Sequence, residues 1–216
     1  MDFLAFAAHC GPTVHALTTQ AIVRAESGFD PLVIRNNTLR KTFRSATRAE
    51  AVALAIRFHA QGHQLALGLM QVTTPWLHRF QIGPETLLDG CANIRFGTTI
   101  LADNYIRLLP SAGTPEEALA QALSAYWSGK PSNGGVYVNH VYHLAGSAVR
   151  VPVTPGVTDG LLGRVQNRST PLAEGRAPKV SGAAKQSNNA AVPNSDAARR
   201  SPLFFNSAEI KTTTTP

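Results

Sequence analysis

Apolar residues recur at helical spacing through most of the first 145 positions, and residues that start or stop helices separate the runs. Val14, Leu17, Ala21, Ile22 and Ala25 share one face of a helix that must end near Glu26, because Gly28 suits a left-handed close and Pro31 cannot continue it. Thr47 and Glu50 form a capping box ahead of Ala51, Leu54, Ala55 and Phe58, with Gly62 as the stop. Thr74 and Pro75 start a short helix running to Phe80, with proline at the first helical position. From about Ala92, the residues Ile94, Gly97, Leu101 and Leu108 hold the helical period until Pro110. Thr114-Pro115-Glu116-Glu117 opens another helix carrying Leu119, Ala122, Leu123 and Tyr126 before Gly129, and a last one covers about Val136 to Leu144. Residues 30–46, with Asn36, Asn37 and four basic side chains, read as a loop over one rim of a cleft. The expected fold is mainly α (α+β), with at most a short β-hairpin near residues 64–72.

Composition changes near residue 150. After Tyr142 no aromatic occurs until Phe204, and six prolines punctuate a run rich in Ala, Ser, Asn and Gly. Such a stretch has too little apolar surface to offset its ordering entropy, so the chain divides into a domain over 1–149 and a disordered tail over 150–216. The tail holds nine Lys or Arg against four Asp or Glu, and the domain eleven against nine, so most of the formal +7 charge lies in the tail. A basic tail would be drawn to anionic surfaces or an acidic partner, with an attraction that salt weakens. The domain shows no basic stripe with interleaved aromatics, which argues against nucleic acid. No stretch approaches a membrane span. Residues 1–8 have no basic n-region and an apolar run shorter than most secretory cores, so no clear signal peptide is read. Two cysteines, Cys10 and Cys91, are compatible with one disulfide.

Glu26 is the leading chemical candidate. In the last helical turn, exposed carbonyls and the negative end of the helix dipole disfavour a charged carboxylate, which suits a proton donor. The plainer reading is a solvated glutamate at a helix end. Residues 66–72 read by themselves as a short buried strand. Taken with Ala25-Glu26-Ser27-Gly28, however, Gly68-Leu69-Met70-Gln71 resembles the signature of the soluble lytic transglycosylases, whose fold is lysozyme-like. The order continues with Asn93-Ile94-Arg95-Phe96-Gly97, then Ala125-Tyr126, then Ser128-Gly129, so the likeness extends over about residues 10 to 145. Cys10-Gly11-Pro12 and Cys91-Ala92-Asn93 are most similar to the small members encoded with bacterial type IV secretion systems. That likeness implies a Cys10 to Cys91 disulfide and export to an oxidising periplasm.

The resemblance also implies a reaction. Glycosidases usually use two carboxylates. Asp30 is the nearest second acid, but Gly28 and Pro31 break the helix between them, and Asp before Pro is an ordinary turn residue. A transglycosylase needs one acid. Glu26 would protonate the oxygen joining N-acetylmuramic acid to N-acetylglucosamine while the substrate's acetamido group assists at the anomeric carbon. The carboxylate would then accept the C6 hydroxyl proton as that oxygen closes a 1,6-anhydro ring. By the same likeness Gly68, Leu69, Met70 and Gln71 would line sugar subsites, Ser128 would lie on the substrate side, Asn93 would be a substrate-side or structural asparagine, and Tyr126 would stand on the substrate side near Glu26 with its hydroxyl available to it. Ser27 would bond near the acid or the acetamido group, or simply cap its helix. Asn93 could as well be a helix N-terminal residue, and Tyr126 a core residue with a satisfied hydroxyl. Trp127 departs from the family pattern, which often has Asn there; an indole could stack on a sugar instead.

The pairs His140/His143 and His59/His63 have ligand-like spacing but no accompanying motif, so they read as exposed helix histidines, and no metal or cofactor is expected. Expected partners are peptidoglycan strands and, through the tail, components of the secretion apparatus; the protein is expected to be a monomer. A competing possibility is a non-catalytic wall-binding assembly factor that acts through the tail.

Overall fold

The computed structural model describes residues 2–153, so the expected tail, apart from 150–153, lies outside the described residues. The chain runs α1 (Phe3–Cys10), α2 (Ala16–Glu26), β1 (Ile34–Asn36), β2 (Lys41–Phe43), α3 (Arg48–Ala60), β3 (Leu65–Leu67), β4 (Val72–Thr73), α4 (Thr74–Phe80), α5 (Gly90–Leu108), α6 (Pro115–Ser128) and α7 (Gly135–Leu144). Short 3₁₀ turns at Thr86–Leu88 and Leu109–Ser111 bracket α5.

The helix boundaries follow from local chemistry. Both halves of the Thr47/Glu50 capping box form at the start of α3. Asp89 caps α5 by accepting from the Ala92 N–H, and Thr114 caps α6 by accepting from the Glu117 N–H. Gly129, at φ 75°, closes α6 in the left-handed conformation. Helix α5 is the axis of the domain: Ile94, Ile100 and Leu101 are fully buried, and α1 and α6 both pack on it. On α2 the buried face is Thr18, Thr19, Ala21, Ile22, Val23 and Glu26. Leu17, assigned to that face by its spacing, stands 39% exposed at its edge.

The sheet is larger than the expected single hairpin. Four antiparallel strands lie in the order β2-β1-β3-β4, with Ile34 opposite both Phe43 and Leu67, and Leu67 opposite Val72. Half of it comes from residues 30–46, which the sequence presents as a loop. These strands are only two or three residues long, too short to show alternation, and pairing with distant segments rather than intrinsic preference makes them β. The N-terminal segment likewise forms a helix, α1. Its eight residues are almost uniformly apolar and so carry no helical period.

A Cys10–Cys91 disulfide joins the end of α1 to the first turn of α5, with Cα atoms 5.1 Å apart and a sequence separation of 81. Closing so long a loop restricts the unfolded chain. The double variant Cys10→Ser/Cys91→Ser is expected to lose about 2–4 kcal/mol of unfolding free energy in denaturant titration. A loss below about 1 kcal/mol would mean that packing alone holds α1 in place. Among the described residues no helix is long and apolar enough to cross a membrane.

Candidate active site

The turn between β3 and β4, residues 68–71, is held from three sides. Gly68 has φ 71°, and a Cβ there would collide with the Leu87 carbonyl and lie 2.5 Å from Asn93 Nδ2, so only glycine fits. Gln71 also adopts a left-handed conformation, φ 50°, which costs a non-glycine residue energy that surrounding contacts must offset. Its Nε2 donates to the Gly68 carbonyl at 2.9 Å and to the Val33 carbonyl at 3.3 Å. The Gly68 N–H also reaches Val33 O, at 3.0 Å, so the segment that follows α2 is tied directly to this turn.

Asn93 is the second anchor. It is fully buried on α5; its Oδ1 accepts from the Met70 N–H at 2.7 Å, and its Nδ2 donates to Leu67 O at 2.8 Å and Leu87 O at 2.7 Å. The amide is thus spent on shaping the turn. Of its sequence readings, the structural one describes this role; Asn93 also lies in the first turn of α5, whose cap is Asp89. Tyr126 on α6 is the third anchor, with its hydroxyl donating to Met70 O at 2.7 Å. Met70 is fully buried against Gly97, where a Cβ would come within 2.5 Å of the thioether sulfur. Leu69 is buried as well. Val33 is a positioning residue that no spacing rule marks, whereas Gly97 stands in both the helical period of α5 and the Asn93 to Gly97 motif.

Glu26 ends α2 and is only 6% exposed. Ser27 caps the helix: its N–H and its Oγ both donate to Val23 O, at 3.0 and 3.1 Å. Gly28 at φ 63° and Phe29 at φ 69° then turn the chain sharply, and the Phe29 ring packs edge-on against Phe3 of α1 at 4.9 Å. Asp30 does what a turn residue does. Its Oδ1 accepts from the Leu32 N–H at 2.9 Å and its Oδ2 pairs with the Arg44 guanidinium, so it is committed elsewhere. Ser128 is likewise used locally, donating to Ser124 O and Lys130 O at the end of α6.

Helix α7 packs on α2 and places His140 within electrostatic reach of Glu26. Burial, His143 and Arg24 push this imidazole below the ordinary histidine value, while the Glu26 carboxylate works against them. His140 is therefore half-buried rather than exposed, and His63 is stacked on Phe58 with a ring nitrogen 2.8 Å from Asn36 Nδ2. Removing the Glu26 charge takes away the influence that favours the imidazolium. Glu26→Gln is expected to lower the His140 pKa further in an NMR titration, and an unchanged or raised value would place the two groups out of contact.

Trp127 is buried between α6 and α7. It is 6% exposed and stacks on Tyr137 of α7, with ring centres 5.7 Å apart and planes 13° from parallel. The indole fills the α6/α7 seam. Among the described residues no three His, Cys, Asp or Glu side chains converge on a common point.

A buried acid at a helix end, tied through the following segment to a glycine-opened turn that α5 and α6 clamp, is the arrangement of a lysozyme-like domain. Residues 3–138 match the transglycosylase SLT domain, well over half of the chain, and the protein belongs to that family. It is 34% identical over 135 residues to the type IV secretion system protein virB1 of Brucella abortus, covering 62% of this chain and 57% of that one. Protein virB1 of Agrobacterium fabrum is 29% identical over 133 residues, covering 62% and 54%, and that of Rhizobium radiobacter 29% over 163, covering 73% and 66%. The chain thus spans little more than half the length of the first of these relatives. No solved structure gives a significant match.

Proposed function

We propose that the protein is a peptidoglycan lytic transglycosylase that opens the cell wall locally in the periplasm for assembly of a type IV secretion or conjugation apparatus. The observation that carries the chemistry is Glu26, the one buried carboxyl among the described residues, with Asp30, the nearest other acid in sequence, already engaged by Arg44. One acid suffices for a reaction without water. Glu26 gives its proton to the bridging oxygen as the bond from the muramic acid C1 breaks, and the substrate acetamido oxygen covers C1. The carboxylate then takes the C6 hydroxyl proton as O6 bonds to C1, releasing the acetamido group and leaving a 1,6-anhydro ring.

The partner context rests on the names of the relatives, and the family likeness is what would make residues 68–71 part of the sugar subsites. Digestion of purified sacculi followed by mass spectrometry tests the reading. Anhydromuropeptides are expected; reducing-end products alone would make the protein a hydrolytic muramidase, and no release at all would favour a binding role.

A further inference from the structure

A cavity of about 320 Å³ lies between α6, α7 and the segment that leaves the domain, and none of the candidate site residues lines it. Its wall is built. The Asn139 side chain clamps the backbone of the departing segment at two points, accepting from the Val151 N–H at 2.8 Å and donating to Val151 O at 3.0 Å. Gly135 permits the approach, since a Cβ there would stand 2.7 Å from Pro152 O and 3.2 Å from Val153 Cα. The lining is largely apolar, with Ala120, Val138, Tyr142, Val149 and Val151, and Val149 is 54% exposed at its mouth.

The lip is acidic. Glu117 is occupied at the start of α6, where its carboxylate accepts from the Gly113 N–H and from Gln121 Nε2. Glu116 is exposed beside it, and burial together with the Glu116 charge pushes the Tyr142 phenol up to about 12, so Tyr142 stays neutral and the carboxylate is felt at the cavity floor. A ligand for such a site joins a cation to an apolar body.

The chain itself carries one. Beyond residue 153 the only aromatics are Phe204 and Phe205, and they sit in Arg199-Arg200-Ser201-Pro202-Leu203-Phe204-Phe205, where two cations precede an apolar run. The connecting 45 residues, 154–198, follow closely on Pro152, which lines the cavity, and at roughly 3.3 Å per residue a stretch of that length can span much more than a return to it requires. We propose that residues 199–205 dock in this cavity of their own domain, with a phenylalanine ring among Val138, Tyr142 and Val151 and the arginines against Glu116. Joining both halves in one chain makes the encounter intramolecular, so modest contact energy is enough to populate it. The site is separate from Glu26, and its occupancy stands or falls independently of the glycan reaction.

Full-length protein carrying a photo-reactive benzoylphenylalanine in place of Phe204 tests the docking. Irradiation should give an internal cross-link to peptides containing Val138, Tyr142 or Val149, with a yield independent of protein concentration. Glu116→Lys should reduce that yield about threefold to fivefold, the worth of an exposed ion pair. Cross-links that grow with concentration would assign the cavity to a second copy, and cross-links elsewhere or none would remove the proposal. A second measurement leaves the domain untouched: in the Phe204→Ser/Phe205→Ser variant, amide exchange over residues 135–152 should quicken about tenfold. Equal exchange in the two proteins overturns the docking.

Discussion

Glu26→Gln is expected to abolish release of anhydromuropeptides from purified sacculi, a fall of at least about 10³ in turnover, with the thermal midpoint unchanged or raised. The amide keeps the shape of the carboxyl and removes both of its functions, since it neither gives the first proton nor takes the second. Stability should not suffer, because a buried carboxylate is costly to keep ionised whereas a neutral amide is cheaper to bury. Helix α2 ends through Ser27, Gly28 and Phe29, none of which depends on the charge of Glu26. The variant should therefore remain folded, with the downward shift of the His140 titration reporting that the site is intact. Residual anhydro products at a tenth or more of the normal rate would remove Glu26 from the acid role. Asp30 would not inherit it without first leaving Arg44.

The helical frame was legible because its signals are local. The capping box of Thr47 and Glu50, the proline after Thr114 and the left-handed Gly129 each fix a boundary within four or five residues. The sheet was not legible, since β1 becomes a strand only by meeting residues 65–67, some thirty positions away. The same distinction runs through the site. Glu26 at a helix end and the order of the motifs could be read along the chain, and the family match over residues 3–138 agrees with that order. What the motif residues do was legible only in part: Ser27 capping its helix and Tyr126 buried with a satisfied hydroxyl were among the readings, but the clamp on the turn was not. Asn93 and Tyr126 reach one turn from two different helices, and only three-dimensional convergence on Met70 shows that they shape it. Trp127 invited a sugar-stacking role because it is aromatic and departs from the usual pattern. Its helical position instead turns it toward Tyr137, where burying so large a ring stabilises the seam between α6 and α7.

Asn93→Ala is expected to lose about 3 kcal/mol of unfolding free energy, on the order of 1 kcal/mol for each of three buried hydrogen bonds. Activity should fall further than stability alone explains. Without the amide, the Met70 N–H loses its acceptor and the turn of residues 68–71 is free to relax its strained Gln71 conformation, moving the proposed subsite wall relative to Glu26. Tyr126→Phe is the graded comparison, because it removes one hydrogen bond to Met70 O and leaves the ring packing in place, at about 1 kcal/mol. The informative measurement is turnover on sacculi well below each variant's thermal midpoint, where both proteins are folded. If Asn93 acts by positioning the turn, its variant stays impaired there while the His140 titration remains that of the parent protein, since α2 and α7 are unaltered. Full recovery of turnover on cooling would reduce Asn93 to a contributor to stability and leave the turn held by Gly68, Val33 and Tyr126 alone.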